Sequence, residues 1–337
     1  MKYKVGIAGY GIVGKRRRIF IDEHPDLELV AVCDKLIEMK DLVGEKVIFH
    51  LNYEELLKEN LDIIFVCMTN DIAPEVTKNA LLKGLHVFCE KPPGRNVKDI
   101  ESVIEIEKRT KNKILKYGFN HRYHDSVMMA KEKIDSGDFG EIISLNGVYG
   151  KSKIVSFDGG WRSSKEIAGG GILLDQGIHM LDLIRFFAGE FYEIKSFISN
   201  NFWKYEIEDN AYAIMRNKTG VVALINSSAT IWEHKFNLRI NLSKGFLELS
   251  GLLTSSKSYG EEKLYTHEHD DKNSGGNFQR IEYKFMEDNS WKREIDEFVN
   301  CINMKKKPLY GTSLDALETM KLVYGIYEND KSYNGKI

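Results

Sequence analysis

Residues 3–14 read "YKVGIAGYGIVG", and their reading decides the fold. A short apolar run ends in glycines at 9, 11 and 14, and a helical pattern follows. That order spells a strand, a tight turn and a helix start. Gly9 permits the turn, Gly11 lets a pyrophosphate approach the backbone, and Gly14 lets the helix pack on the strand. The helix N-terminus, which carries Ile12 and Val13, offers free N–H groups and a positive dipole end to the phosphates. Asp34 ends the second apolar run, 20 residues beyond Gly14, where a ribose-binding acid belongs. A carboxylate there accepts from a 2′-hydroxyl and repels a 2′-phosphate, which favours NAD. Lys35 beside it and the "KRRR" run, Lys15–Arg18, leave NADP open. That run reads as a solvated face, with one arginine near the helix start in reach of phosphate.

Outward from this unit the pattern repeats. "LELVAVCD", "LDIIFVCMT", "LHVFCEKP" and "KILKYGFN" are apolar almost throughout, as expected of strands covered on both faces of a parallel sheet. Helical stretches at 13–24, 53–60, 74–83 and 97–109 separate them. Strand–helix alternation of this kind predicts a doubly wound α/β domain over residues 1–120. Beyond His121 the character changes. A helix is expected at 125–136, then the strand "EIISLNGVYG", a glycine-dotted loop and another helix. From 193 to about 285 the runs alternate, as in "NAYAIMRN", "GVVALINSSAT", "FNLRINLS" and "GFLELSG", so a large antiparallel sheet with one wet face is expected. "YGEEKLYTHEHDDKNSGGN", 259–277, reads as a polar, mobile loop. Helices at 291–304 and 313–327 close a second domain, 121–337.

Composition narrows the classes. Of 337 residues, 42% are hydrophobic and 29% charged, and 48 basic residues nearly balance 50 acidic ones. Bulk electrostatics therefore argue against a nucleic acid or an anionic membrane as partner. Cys33, Cys67, Cys89 and Cys301 show no CxxC spacing and read as reduced core thiols of a cytoplasmic protein. Glycines and a basic run at the N-terminus do not fit a signal peptide. No run approaches the roughly 18 apolar residues of a membrane span.

Two further stretches carry chemistry. In "GGGILLDQGIHMLDL", Gly169–Leu183, Asp175 and His179 stand four apart, with Asp182 three further on. On a regular helix these share a face, while Leu174, Ile178 and Leu181 form the anchoring stripe. The polar stripe is expected to line a pocket. "CEKPPG" puts Lys91 at the end of the "LHVFCEKP" strand, where ligands meet the carboxyl ends of parallel strands, and the prolines keep it out of a helix. Hydride removal from an alcohol carbon needs a base for the hydroxyl proton, which suits the near-neutral imidazole of His179. Asp175 would orient that ring or hold a substrate hydroxyl, and Lys91 would polarise the oxygen. A metal site built from Asp175, His179 and Asp182 is the competing reading of the same spacing; no metal is expected.

These motifs, with "YGFNHRY" at 117–123 and "GGWRSS" at 159–164, make the chain resemble the glucose–fructose oxidoreductase/inositol dehydrogenase (Gfo/Idh/MocA) family over nearly its whole length. The resemblance implies a Rossmann domain joined to an α/β domain whose large, mostly antiparallel sheet mediates homodimers or homotetramers through its open face. It implies Lys91, Asp175 and His179 as the catalytic trio. It places Thr69, Asn70, Glu90, Lys91, Asn120, Trp161 and Arg162 at the cofactor, alongside Gly9, Gly11, Ile12, Val13, Asp34 and Lys35. Arg122, Tyr149 and Gln176 join the trio on the substrate side. Two departures, the turn "MTNDIAPE" after the "LDIIFVCMT" strand and Gln176 after Asp175, bear on substrate choice. The expected activity is NAD(P)-dependent oxidation or reduction at a hydroxyl or keto carbon of a sugar, polyol or nucleotide sugar. A redox-neutral glycosidase or lyase that keeps NAD bound, and a non-catalytic dinucleotide-binding regulator, are the alternatives.

Overall fold

A computed structural model describes residues 2–152, 160–254, 256–269 and 279–333. The chain forms two compact units, Met1–Phe119 with Trp291–Leu317, and Asn120–Ser290 with Glu318–Ile337.

The first unit alternates β1 (Tyr3–Ala8), α1 (Ile12–Glu23), β2 (Leu27–Cys33), β3 (Ile48–His50), α2 (Tyr53–Leu56), β4 (Ile63–Val66), α3 (Ala73–Leu82), β5 (His86–Glu90), α4 (Val97–Arg109) and β6 (Leu115–Gly118). The strands pair in parallel in the order β3-β2-β1-β4-β5-β6. Strand order reverses between β1 and β4, so the crevice that binds ligands in such sheets opens beyond their carboxyl ends. β3 escapes the sequence reading because three residues are too few to show a period.

Two expectations for this unit need correction. A helix from far along the chain, Ser290–Met304, belongs here rather than to a domain spanning all of 121–337. Its Ile295, Phe298, Val299 and Ile302 enter the core around β4 and β5. Phe298 meets Phe65 and Phe88 edge-on, at centroid distances of 6.0 and 5.5 Å. An amphipathic helix declares an apolar stripe in its sequence but not which sheet it covers. The second correction concerns "KRRR". Arg17 shares the buried stripe of α1 with Gly14 and Ile21. Its guanidinium is wholly buried between the faces of Phe88 and Trp291, at 4.3 Å from each centroid. It pairs with Glu90 at 2.6 Å and Glu294 at 2.7 Å. Arg18 instead bonds the Tyr10 hydroxyl and the Val43 carbonyl.

The second unit carries α5 (Asp125–Asp135), β7 (Ile142–Gly150), α6 (Lys165–Ala168), α7 (Ile178–Ala188), β8 (Phe191–Ser199), β9 (Asn210–Asn217), β10 (Val222–Ser228), β11 (Lys235–Leu242), β12 (Gly245–Ser250), β13 (Glu262–Glu268) and β14 (Ile281–Phe285). The Ser290–Met304 helix is α8, and α9 (Ser313–Glu328) follows. The sheet order is β14-β13-β12-β11-β7-β10-β9-β8. Only β7 and β10 run parallel; the other neighbours are antiparallel. β13 lies inside the stretch expected to be a loop. Its inward positions are Glu262, Leu264 and Thr266, so two polar residues hide the apolar alternation; residues 270–277 of that stretch lie outside the described residues. The segment Lys165–Ala188 is long and apolar enough to cross a bilayer by length and composition, contrary to the sequence reading. Yet 78% of its most apolar window is buried within the protein, as a core helix requires.

Candidate active site

In the first unit the glycine turn adopts the geometry its sequence requires. Gly9 has φ of +90°, and a Cβ there would stand 2.4 Å from the Cys67 carbonyl oxygen. At Gly14 a Cβ would stand 2.1 Å from the Gly9 oxygen, so α1 lies against its own turn. At Gly11 a Cβ would meet nothing within 4 Å, which leaves open space in front of the N-terminus of a 12-residue helix that has no side-chain cap. Ile12, at the first helical position, is 86% exposed. Asp34 pins the turn: its Oδ2 accepts from the Tyr10 amide at 2.8 Å and its Oδ1 from the Leu36 amide at 3.0 Å. Each carboxylate oxygen has a second lone pair for a ribose hydroxyl. An open cradle at a helix N-terminus, beside a held acid, fits a dinucleotide pyrophosphate and its ribose.

The other first-unit candidates follow β4 and β5. Thr69 accepts at its carbonyl from the Ile72 and Ala73 amides and so opens α3, and Asn70 is buried beside it. Lys35 is exposed. Glu90, expected at the cofactor, is committed to Arg17. Lys91 follows directly in the turn after β5, ahead of a cis Lys91–Pro92 bond.

The second unit resolves the triple glycine. Glu208 is fully buried, and its carboxylate accepts from the Gly171 amide at 2.7 Å, the Leu173 amide at 2.9 Å and the Tyr327 hydroxyl at 2.8 Å. Burial raises the Glu208 pKa, and these hydrogen bonds work against that rise. A Cβ on Gly171 would lie 2.0 Å from the Glu208 carbonyl oxygen, and one on Gly170 would lie 2.4 Å from the Tyr327 hydroxyl. The glycines thus admit a buried carboxylate that anchors the segment leading into α7. Nothing local in the sequence pairs Glu208 with Gly171, 37 residues away.

A π turn, Leu173–Gly177, precedes α7 and carries Asp175. Such turns interrupt the α-helical register, so the expected stripe of Asp175, His179 and Asp182 divides among three environments. Asp182 is a structural residue. It is fully buried and holds Arg122 by two hydrogen bonds, at 2.8 and 2.6 Å. Arg122, expected on the substrate side, is therefore engaged in the core. Asp175 lies in a polar group of its own. Gln176 Nε2 donates to it at 3.1 Å, Arg162 Nε stands 3.4 Å away and Lys151 Nζ 3.6 Å away. The Arg162 guanidinium lies over the Trp161 ring at 4.3 Å. Arg162, expected at the cofactor with Trp161, thus stands beside Asp175. Lys151 was missed in the sequence. Burial lowers its pKa, against the opposing pull of Asp175. Its place just past the end of β7 is the same strand-end signal that singled out Lys91.

His179 is buried and stacked face to face on His121, with centroids 3.7 Å apart and planes 13° apart. Tyr149, expected to face substrate, is buried with its hydroxyl 3.0 Å from His121 Nε2. Asn120, expected at the cofactor, spends its amide on Ser290 Oγ at 3.1 Å and on His121 Nδ1 at 3.2 Å. Among the described residues, no group of three or more His, Cys, Asp and Glu side chains could hold a metal ion.

Known proteins share both units. Residues 3–119 match the family model described as "Oxidoreductase family, NAD-binding Rossmann fold", and residues 127–248 match the GFO/IDH/MocA C-terminal domain. The chain is 28% identical over 319 residues to the D-glucoside 3-dehydrogenase of Escherichia coli (strain K12), covering 90% of this chain and 88% of that protein. It is 28% identical over 253 residues to the myo-inositol 2-dehydrogenase of Thermotoga maritima, covering 72% and 73%. Levoglucosan dehydrogenase, solved in complex with NADH and levoglucosan, has the same fold. Its TM-score is 0.87 over 99% of this chain and 98% of that chain, at 18% identity. The chain belongs to the Gfo/Idh/MocA family of NAD-binding oxidoreductases.

Proposed function

We propose that this protein is a dehydrogenase that moves a hydride between a nicotinamide and a hydroxyl-bearing carbon of a sugar, polyol or nucleotide sugar. The observation that carries this reading is the glycine turn, open at Gly11 and pinned by Asp34, on a chain that also supplies Lys91, Asp175 and His179. NAD, when bound, supplies the hydride acceptor. Asp34, with two oxygens already accepting backbone N–H bonds, favours a 2′-hydroxyl over a 2′-phosphate and so NAD over NADP.

The rest of the chemistry falls to side chains. His179 takes the hydroxyl proton as the carbon–hydrogen bond breaks and the carbonyl forms, and Lys91 stabilises the oxygen as its charge develops. Asp175 hydrogen-bonds a neighbouring substrate hydroxyl. Gln176, Arg162 and Lys151 around that carboxylate suit a polyhydroxylated substrate. Four free cysteines, three of them buried (Cys33, Cys89 and Cys301), support a cytoplasmic location.

The homo-oligomer forms through the open face of the large sheet. Phe197, Tyr212, Ile214 and Leu224 are all exposed there, Phe197 by 77%. Strand register puts Phe197 opposite Tyr212 and Leu224 opposite Ile214, so the patch is continuous, and such patches mark interaction surfaces.

The test is a screen of glycosides, inositols and nucleotide sugars at fixed NAD, following the absorbance of reduced nicotinamide. Stoichiometric NADH with one substrate class supports the proposal. Substrate consumption without net NADH would replace it with redox-neutral chemistry, and a Lys91→Ala variant of unchanged rate would defeat it.

A further inference from the structure

Two short runs of the chain are strongly basic. "KRTKNK", 108–113, has four basic residues and "KKK", 305–307, has three, with no acid in either. In a protein of net charge −2 that is a large local excess. The runs are far apart in sequence, and the first unit brings them together. One leaves α4 and leads into β6; the other leaves α8 ahead of α9. A cavity of about 370 Å³ lies between them, within the range of small-ligand pockets. Lys113, Ile114 and Leu115 line it, which puts it at the amino end of β6. The dinucleotide crevice opens beyond the carboxyl ends of the same sheet, so the two sites are separate.

The lining has an apolar part and a cationic part. Ile104, Ile114, Leu115 and Pro308 are buried, and Leu314 extends them to the surface. Lys108, Lys111, Lys113 and Lys307 stand around them, exposed except for the half-buried Lys113. No carboxylate among the described residues pairs with any of the four. By contrast Lys58, Lys131, Lys292 and Lys321, on helix surfaces elsewhere, each have one. Glu107 is the acidic residue of the lining, and it accepts from the Ser313 hydroxyl. Asp315 accepts from the Thr312 amide and hydroxyl. Local needs explain only part of the charge. Lys108 and Arg109 sit in the last turn of α4, where cations offset the carbonyl end of a helix. Lys111, Lys113 and Lys307 lie past the last turns of α4 and α8. Ser313 and Leu314, on the lining, open the 16-residue α9, whose N-terminal end adds to the positive potential.

We propose that this cavity is a second ligand site, for a small phosphorylated molecule that carries a flat ring, as a nucleoside diphosphate does. The phosphates meet the lysines, whose ammonium groups serve phosphate as mobile point charges. The ring lies on the apolar part, where the area it removes from water favours binding. Both parts are needed, because exposed ion pairs alone are screened and weak. The charge surrounds a concavity instead of running along a flat stripe, so a small ligand fits it and a nucleic-acid strand does not. The inference is independent of the dehydrogenase reading.

The test is calorimetric titration of the full chain with ADP at low salt, with NAD saturating so that the glycine turn is occupied. ADP should bind once per chain with a Kd of about 100 μM or tighter, and the affinity should fall as salt rises. Pyrophosphate, which has the charge without the ring, should bind about 10-fold more weakly or worse, and adenosine, which has the ring without the charge, should not bind measurably. Lys111→Glu/Lys307→Glu changes two exposed side chains and should weaken ADP by about 10-fold or more, while the Kd for NAD stays within about 2-fold. Lys218→Glu/Lys244→Glu makes the same change in net charge on the second unit and should leave ADP within about 2-fold. ADP binding that disappears as NAD is raised would belong to the cofactor site and overturn the proposal. So would the absence of ADP binding, pyrophosphate or adenosine binding as tightly as ADP, or equal losses in the two double variants.

Discussion

Glu294→Gln gives a prediction whose size follows from the buried triad of the first unit. Arg17 bridges Glu90 and Glu294, so one guanidinium serves two carboxylates. Glu294 is fully buried, and its Oε1 has no hydrogen-bond partner among the described residues. Burial raises its carboxyl to about 7, against the pull of Arg17 and Lys116 and with Glu90 adding to the rise. The folded pKa therefore lies above the ordinary 4.5. Folding favours the protonated acid, and stability falls as pH climbs from 4.5 through 7. Each pH unit in that window is worth about 1.4 kcal/mol, and the whole window about 3 kcal/mol. Glutamine cannot titrate, and Arg17 keeps Glu90 in either protein. The stability of the variant minus that of the wild type should rise by about 3 kcal/mol between pH 4.5 and 7 and be flat on either side. Other titrating groups cancel in this difference. Urea unfolding, read by hydrogen exchange on β4 and β5 amides at half-unit pH steps, supplies the measurement. A difference constant to about 0.5 kcal/mol across that range would refute the reasoning.

Three other perturbations probe the remaining parts. Asp182→Asn removes the buried negative charge that the Arg122 guanidinium faces and should destabilise the second unit by about 3 kcal/mol, measured by chemical denaturation, while kcat per folded molecule changes by less than about 3-fold. Gly171→Ala drives a Cβ to 2.0 Å from the Glu208 carbonyl oxygen, a backbone contact that cannot yield, so a loss above about 3 kcal/mol is expected in the same assay. Asp34→Ala removes both the ribose acceptor and the bond to the Tyr10 amide. It should raise the KM for NAD by about 10-fold or more and leave that for NADP less affected, as initial-rate kinetics will show.

The sequence revealed most where residues close in the chain act together. Strands buried on both faces have unbroken apolar runs, and the glycines of the first turn work within six residues of one another, so the first sheet and its cradle were readable. β3 was too short to show a period, and β13 turns Glu262 and Thr266 inward, which erased its alternation. The return of α8 to the first unit was invisible because an apolar stripe does not name its partner. The same limit hid Arg17, whose two carboxylates lie 73 and 277 residues away. In the second unit, Asp175 and His179 were found by spacing, but the π turn broke the assumed helical face, and Asp182 went to Arg122. Glu208 and His121 owe their positions to contacts between elements distant in sequence, which no local pattern encodes, whereas Lys151 carried a strand-end signal that went unused.

The account stands most directly on whether Lys91 and His179 serve one chemical step. Single-turnover NADH formation should be measured for wild type, Lys91→Ala, His179→Ala and the double variant. Each single change should slow the step by about 10²–10⁴-fold, and the double variant should be little slower than the slower single one, because groups that act as a unit are not additive. Losses that multiply in the double variant, or either single variant running at the wild-type rate, would contradict it.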